Sequence, residues 1–190
     1  MSTTQNIKGW LSTRFANESD ANALYIIVNK AYREPGGWTG ENHLIKGSRI
    51  THKSLNELIK EDPKKSRLIV CEKASDYDAA DKVIVGCVVV KWRNEEEGEI
   101  GMLSVNPEVQ SRGIGSTLMI KAFEVLKNDF KFKRAVVTVI HLRSELIAWY
   151  KKIGFVENGE VEPFPEVTEN NDNGTPIVDN VYFIVLKKEL

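Results

Sequence analysis

The sequence predicts a mixed α/β fold of the α+β type, in which a mostly antiparallel central sheet carries helices on both faces. Three apolar, strand-like segments follow one another between residues 67 and 105. A helix-like segment then leads to a further strand, which is the pattern of a β–α–β crossover. The segment Lys82–Trp92 contains an almost uninterrupted run of Val and Ile, and near-continuous apolar strands are typical of a sheet that is covered on both faces.

The front of the chain predicts one strand and two helices. Leu11–Phe15 is a short strand candidate. The polar residues after it offer helix caps, and apolar residues at helical spacing then predict a helix that ends near Tyr32. The segment Pro35-Gly36-Gly37 ends this helix and begins a loop, because proline and glycine interrupt regular structure. A second helix is predicted over Lys53–Lys60.

The rest of the chain alternates strands with helices. The predicted strands are Arg67–Glu72, Lys82–Trp92, Glu97–Val105, Arg134–Ile140 and Val181–Leu186, and the predicted helices are Gly115–Asn128 and Ser144–Lys152. The segment Glu157–Asn180 is rich in Asn, Asp, Glu and Pro, so we expect a long irregular connection there that is mobile or functional. A length of 190 residues fits a single domain over residues 1–190.

Composition excludes several classes of protein. The chain has 26 basic and 27 acidic residues, and this balance lacks the basic excess of most nucleic-acid-binding proteins. No apolar stretch approaches the roughly 20 residues of a membrane helix. Cys71 and Cys87 lie in apolar runs, which favours buried free thiols in a reducing compartment. We therefore expect a cytoplasmic protein, or a nuclear one, without nucleic-acid or membrane partners; a homodimer stays open.

The most informative segment joins a predicted strand to a predicted helix. It comprises Gln110, Ser111, Arg112, Gly113, Ile114, Gly115 and Ser116. Backbone N–H groups at a helix start are unpaired and carry partial positive charge, so a phosphate fits there. The two glycines let an anion approach the backbone, and the arginine adds a charged donor. A Walker loop would need a lysine after the second glycine, and a dinucleotide fingerprint would need a third small residue. Neither is present.

Two motifs resemble the GNAT superfamily of N-acyltransferases. Gln110-Ser111-Arg112-Gly113-Ile114-Gly115 is similar to its acyl-CoA loop, Gln/Arg-x-x-Gly-x-Gly/Ala, and Tyr150–Phe155 is similar to its Tyr-x-x-x-Gly-Phe helix end. The resemblance implies a GNAT-like fold with acetyl-CoA as cosubstrate and no metal. It implies that the loop binds the pyrophosphate, and that the backbone of Leu103, Ser104 and Val105 serves the thioester and the pantetheine arm.

Acyl transfer from a thioester to an amine needs a base, donors for the oxyanion and an acid for the leaving thiolate. The strand Glu99–Val105 resembles that of histone acetyltransferases, in which the matching glutamate is the base; this implies Glu99 as the base, with His141 as an alternative. The resemblance implies that Tyr150 is the acid that protonates the leaving thiolate, although a tyrosine that only packs in the apolar core would give the same local sequence pattern. An acyl-enzyme on a cysteine is less favoured. Arg143 stands where many members have an asparagine that contacts the cofactor, which puts that contact in doubt.

The sequence indicates less about the amine that accepts the acetyl group than about the cofactor. In the superfamily the substrate is selected by the segments that correspond to Glu34–Arg49 and Glu157–Asn180. Trp38 and Glu41 are candidates for holding an amine, Trp38 through a cation–π contact; alternatively, the tryptophan only covers the core. We expect an N-acetyltransferase acting on a small-molecule amine, with a protein or peptide acceptor as an alternative. A non-catalytic acyl-CoA-binding module would need neither Glu99 nor Tyr150, so their presence favours the enzyme.

Overall fold

The structure is a computed structural model that describes residues 10–75, 81–110, 112–166 and 173–190. The helices and strands of these residues are β1 (Leu11–Phe15), α1 (Ala21–Arg33), β2 (Ile45–Lys46), α2 (His52–Lys60), β3 (Ser66–Ala74), β4 (Lys82–Trp92), β5 (Glu97–Val105), α3 (Ile114–Glu124), β6 (Arg134–Ile140), α4 (Ser144–Lys152), β7 (Val156–Pro163), β8 (Thr175–Pro176) and β9 (Tyr182–Glu189). A π-helical turn, Val125–Asp129, continues α3.

Seven of the strands form one sheet in the order β1-β3-β4-β5-β6-β9-β7. Only β5 and β6 run parallel, and α3 connects them as the predicted crossover; the other neighbouring strands are antiparallel. The predicted fold class is therefore confirmed. β2 and β8 form a separate pair of short strands.

Helices cover both faces of the sheet, as predicted. On one face, Leu24 of α1, Leu55 of α2 and Val89 of β4 belong to one apolar core. On the other face, Leu118 of α3 and Leu146 of α4 belong to a second and larger apolar core. Each fully buried aliphatic side chain of this kind contributes roughly 1.5–3 kcal/mol. In the described part of the chain, no helix combines the length and the apolar character that crossing a membrane requires.

The sequence predicts an irregular connection after α4. This prediction is wrong over the first part of the segment, where the chain forms β7. This strand pairs with β9 at the edge of the sheet. Its side chains are almost all exposed, and Gly159 has a left-handed φ of +85° within an irregular register. An exposed edge strand needs no alternation of apolar and polar residues, and this explains why the sequence pattern did not predict it. Residues 167–172 of the same segment lie outside the described residues.

The sheet opens between β5 and β6. The two strands pair only where Glu97–Glu99 lies beside Arg134–Val136, although both strands continue further. Met102 has a φ of +51°, and the register between β4 and β5 shifts at this point. A positive φ is unusual for a residue with a side chain and bends the strand away from regular pairing. From residue 100 onward, β5 therefore has no described ladder partner on its β6 side, and a cleft opens there.

Candidate active site

A cavity of about 310 Å³ lies at the start of α3, and we call it the α3 cavity. The predicted cofactor residues that line it are Leu103, Val105, Gln110, Gly113, Ile114, Gly115 and Ser116. Trp38, Thr39 and Trp149 complete its lining. Of the other predicted residues, Arg112 is exposed, Ser104 is buried with its hydroxyl donating to the carbonyl of Met102 (3.1 Å), and Ser111 lies outside the described residues.

The start of α3 has the local geometry of an anion site. Gly113 takes a left-handed φ of +81° directly before the helix, a conformation that glycine adopts without strain. A Cβ atom on Gly115 would have only the Cγ2 of Val105 near it, at 4.0 Å. The absence of a side chain at this position is therefore not required by packing, and it leaves the first turn of the helix open to a ligand. These residues fit a diphosphate.

A second, larger space follows the opening between β5 and β6, and we call it the splay cleft. Its volume is about 540 Å³. Ile100–Met102 of β5 and Thr138–Ile140 of β6 line it, together with Tyr32 and Arg49 from the front of the chain. Glu99 and Tyr150 both line this cleft, so the structure brings the predicted base and acid together. Thr39 lines the α3 cavity and the splay cleft, so the two spaces adjoin.

Glu99 is the last residue of β5 that pairs with β6. Its side chain is 33% exposed, and one carboxylate oxygen lies 3.6 Å from an Nη of Arg93. Arg93 also pairs with Glu162 of β7. A Cβ atom on Gly101 would lie 3.8 Å from Oε1 of Glu99, so the missing side chain leaves space beside the carboxylate. The carboxylate is thus held by one arginine while its other side stays accessible from the cleft.

Tyr150 belongs both to the apolar core and to the splay cleft. Its ring makes edge contacts with Trp149 and Phe155 at centroid distances of 5.0 and 5.4 Å. Burial raises the pKa of Tyr150 well above that of an ordinary phenol, and the neighbouring Tyr32 raises it further. The hydroxyl carries its proton at neutral pH, as any phenol does, so it is in the form that a general acid needs. The raised pKa itself makes the free hydroxyl a weaker proton donor.

The other candidates for covalent or base chemistry fit less well. Burial raises the pKa of Cys71 and of Cys87 to about 12, so neither thiol forms the nucleophilic thiolate near neutral pH. His141 stacks on Tyr182 at a centroid distance of 3.8 Å. Its Nδ1 lies 3.3 Å from the carbonyl oxygen of Tyr182, and it is not among the residues that line the splay cleft.

The two predicted acceptor residues lie in different places. Trp38 lines the α3 cavity and makes an edge contact with Trp149 at 5.0 Å, and it does not line the splay cleft. Glu41 does line that cleft, but its carboxylate accepts a hydrogen bond from Arg33 at 2.9 Å. Trp38 thus forms part of the wall of the α3 cavity, whereas the carboxylate of Glu41 is already paired with Arg33.

Several residues of the site were not predicted from the sequence. Glu57 of α2 and Glu61, the residue directly after this helix, line the splay cleft. Glu162 joins them from β7, the strand that the pattern did not reveal. Thr39 and Trp149 at the α3 cavity had no distinguishing sign beyond their place beside predicted residues.

The fold and the site together define an acyl-CoA-dependent acyltransferase: a sheet opens beside a glycine-rich helix start, with a carboxylate and a phenol in the opening. Residues 38–155, more than half of the chain, match the model of the acetyltransferase (GNAT) family. The chain belongs to this family, and the expectation of an acyltransferase is confirmed. No curated protein sequence matches the chain at a significant level.

Solved structures with low sequence identity share the fold. A spermidine N-acetyltransferase from Vibrio cholerae, in complex with CoA and spermine, is 18% identical with a TM-score of 0.65, and the match covers 96% of each chain. A GNAT family acetyltransferase from Elizabethkingia anophelis with acetyl-CoA bound is 17% identical (TM-score 0.61; 96% of this chain, 100% of that one). An N-acetyltransferase from Staphylococcus aureus Mu50 is 12% identical (TM-score 0.67; 94% and 97%).

Proposed function

We propose that this protein transfers an acetyl group from acetyl-CoA to a primary amine of a small cationic molecule, by direct attack within a ternary complex. The observation that carries the proposal is the position of Glu99 and Tyr150 in one cleft that adjoins the α3 cavity. A binding module without catalysis would have no need of a carboxylate and a protonated phenol at that junction. The raised pKa values of both cysteine thiols favour direct attack over an acyl-enzyme.

Each part of the site has a role in this proposal. The first turn of α3 binds the pyrophosphate of acetyl-CoA, which supplies the acetyl group as a thioester. Backbone groups of β5 beyond residue 100 are free of β6 and hydrogen-bond the pantetheine arm and the thioester oxygen. Glu99 takes the proton of the attacking amine, directly or through a water molecule, and the hydroxyl of Tyr150 donates a proton to the departing sulfur.

The charges of the splay cleft favour a cationic acceptor. Its carboxylates are Glu41, Glu57, Glu61, Glu99 and Glu162, whereas its basic side chains are Arg49 and Lys91. Glu57 and Glu61 are exposed near the end of α2, away from the ion pairs that engage Glu41 and Glu162. An excess of accessible carboxylates attracts a positive charge and raises the local concentration of a cationic substrate. An acceptor with a second ammonium group, such as a diamine or a polyamine, fits this arrangement.

A thiol-release assay with acetyl-CoA tests the proposal. The panel comprises monoamines, diamines, polyamines, amino acids and amino sugars, and we expect the highest kcat/KM for amines with a second positive charge. The double variant Glu57→Gln/Glu61→Gln should raise the KM of a polyamine about fivefold or more and leave that of a monoamine nearly unchanged. Glu95→Gln, which removes an exposed carboxylate of the β4–β5 turn, is the control.

Two outcomes would contradict the proposal at different points. Tight acetyl-CoA binding without turnover of any amine would replace the enzyme by a non-catalytic binding module. Turnover that prefers uncharged monoamines, or a double variant with unchanged kinetics for polyamines, would leave the transferase in place and remove the cationic acceptor.

A further inference from the structure

Arg143 is a buried arginine that none of the roles above uses. It precedes the first residue of α4, and its relative exposure is 3%. Its guanidinium donates to the carbonyl oxygen of Thr39 at 3.1 Å and to that of Trp38 at 2.8 Å. Its Nε donates to the carboxylate of Glu145 at 2.5 Å. Three of the five N–H donors of the guanidinium are therefore bound to protein groups. This differs from the asparagine that many members of the resembling family carry here, which contacts the cofactor.

The segment that Arg143 binds is also fixed from its other side. The hydroxyl of Thr39 donates to the carbonyl of Ala31, in α1, at 3.3 Å. A Cβ atom on Gly37 would lie only 2.2 Å from the same carbonyl oxygen, so this close approach of the loop to α1 requires glycine. The loop is thus held between the end of α1 and the start of α4, which are distant in sequence.

The held segment forms part of the wall of the α3 cavity. Trp38 and Thr39 both line it, and the indole of Trp38 contacts that of Trp149 on α4. Trp38 is 40% exposed, so burial alone does not fix its position. Two carbonyl oxygens on neighbouring residues match the planar fork of a guanidinium, whereas an ammonium group lacks this geometry.

We propose that Arg143 is a positioning residue for acyl-CoA: by binding the carbonyls of Trp38 and Thr39, it holds Trp38 against Trp149 and completes the wall of the α3 cavity. This inference rests on the proposed function, because the ligand of the cavity is acyl-CoA. It assigns to Arg143 an indirect contribution to cofactor affinity. A direct contact with the cofactor is not part of it.

Arg143→Met tests the inference because methionine keeps an unbranched apolar stem and removes the guanidinium. We expect the Kd and the KM for acetyl-CoA to rise about tenfold, since a misplaced wall loses contacts and orientation. The KM of the amine should change less than twofold, and kcat should fall far less than the KM for acetyl-CoA rises. Arg143→Lys should recover only part of the affinity.

Tryptophan fluorescence of the ligand-free protein gives a readout that does not depend on activity. In a Trp10→Phe/Trp92→Phe background, the emission comes from Trp38 and Trp149. Adding Arg143→Met should shift this emission to longer wavelength, because the contact between the two indoles loosens and water reaches them. Unchanged emission together with unchanged acetyl-CoA affinity would overturn the role of Arg143.

Two control variants separate positioning from general stability. Glu145→Gln removes the partner whose side chain is 54% exposed and keeps both carbonyl contacts, so it should bind acetyl-CoA like the wild type. Arg67→Met removes another arginine, which binds the carbonyl of Pro63 and the carboxylate of Asp129 and does not line the cavity. An equal loss of affinity in Arg67→Met would overturn the inference. Wild-type protein that does not bind acetyl-CoA would instead contradict the proposed function, and the fluorescence comparison would still test the loop contact.

Discussion

A carboxylate and a phenol line the splay cleft, and their surroundings suit them to different tasks. Tyr150 is 6% exposed among aromatic rings, and this burial raises its pKa above that of an ordinary phenol, which is already protonated at neutral pH. Glu99 remains one-third exposed at the point where β5 leaves β6, beside an arginine that also binds β7. A group that takes a proton from a substrate must be accessible, whereas a group that donates one must retain it until the leaving group departs.

Glu99→Gln should lower kcat at neutral pH by about 100-fold, because a carboxamide cannot accept the proton of the attacking amine. The KM for acetyl-CoA should not change, since Glu99 does not line the α3 cavity. In the variant, kcat/KM should rise about tenfold per pH unit below the pKa of the amine, because only the free amine reacts. A pH profile of initial rates measures both effects. Full activity of Glu99→Gln at neutral pH would exclude Glu99 as the base.

At the scale of elements, the missing side chain of Gly101 keeps the splay cleft open beside Glu99. Gly98 precedes it on β5 in a different environment, since a Cβ atom there would lie 2.5 Å from Leu126 and from Phe132. These two glycines of one strand form a matched pair for a test of the cleft. One of them adjoins the space for a substrate, and the other adjoins the core.

Gly101→Ala should raise the KM of the amine several-fold and leave the stability and the acetyl-CoA affinity nearly unchanged, because the new methyl group enters the cleft and meets no protein atom closer than 3.8 Å. Gly98→Ala should lower the free energy of unfolding by about 1–3 kcal/mol, because overpacking a core forces neighbours to move. Denaturant titration and initial rates measure the two variants. If Gly101→Ala proves the less stable of the two, or leaves the amine KM unchanged, the assignment of this space to the acceptor is wrong.

The apolar pattern predicted the elements that pack on both faces of the sheet. β4, β5, β6 and α4 have the predicted bounds because their apolar runs begin and end at turn residues. β7 was not predicted because its pairing depends on backbone hydrogen bonds, which no side-chain pattern records. The left-handed φ of Met102, which helps to open the cleft, was also unpredictable, since only tertiary packing compels a methionine to adopt it.

The candidate site was predictable where short motifs carry it. Gly113 and Gly115 at the helix start, and Glu99 and Tyr150 through a family resemblance, all came from local sequence. The contact between Arg143 and Thr39 joins residues 104 positions apart, so no local pattern could have indicated it. The carboxylates that line the splay cleft come from α2 and the residue after it, from β5, from β7 and from the loop before β2, and only the fold brings them together.

At the scale of the whole molecule, one buried carboxylate closes the end of the sheet where β5 and β6 still pair. Glu97 is 5% exposed, and it accepts hydrogen bonds from Arg134 of β6, from Lys187 of β9 and from Asn94, with Arg134 and Lys187 at 3.0 Å. The opening that forms the splay cleft begins only three residues further along β5, at residue 100. Ion pairs therefore join β5, β6 and β9 at one end of the sheet, whereas β5 and β6 separate further along.

Glu97→Gln should accordingly lower the free energy of unfolding by about 1 kcal/mol at neutral pH, because the buried carboxylate loses its charge-assisted hydrogen bonds. The loss is moderate, since Arg134 and Lys187 are partly exposed and keep the carboxylates of Glu96 and Glu160. Burial raises the pKa of Glu97, but hydrogen bonds from Lys187, Asn94 and Arg134 outweigh burial and hold this pKa below its usual value. A lowered pKa in the folded state means that the carboxylate stabilises the protein above the unfolded pKa of about 4.3, and that this stabilisation is lost as the pH falls through the folded value. The difference in stability between wild type and Glu97→Gln should therefore be constant from pH 8 to about pH 5 and shrink below it.

Urea titrations over this range measure the effect. Glu96→Gln is the control, since its 44% exposed carboxylate pairs with Arg134 and Lys133 at the surface. Should both variants lose the same stability, or should the difference persist at low pH, the network around Glu97 does not hold the closed end of the sheet.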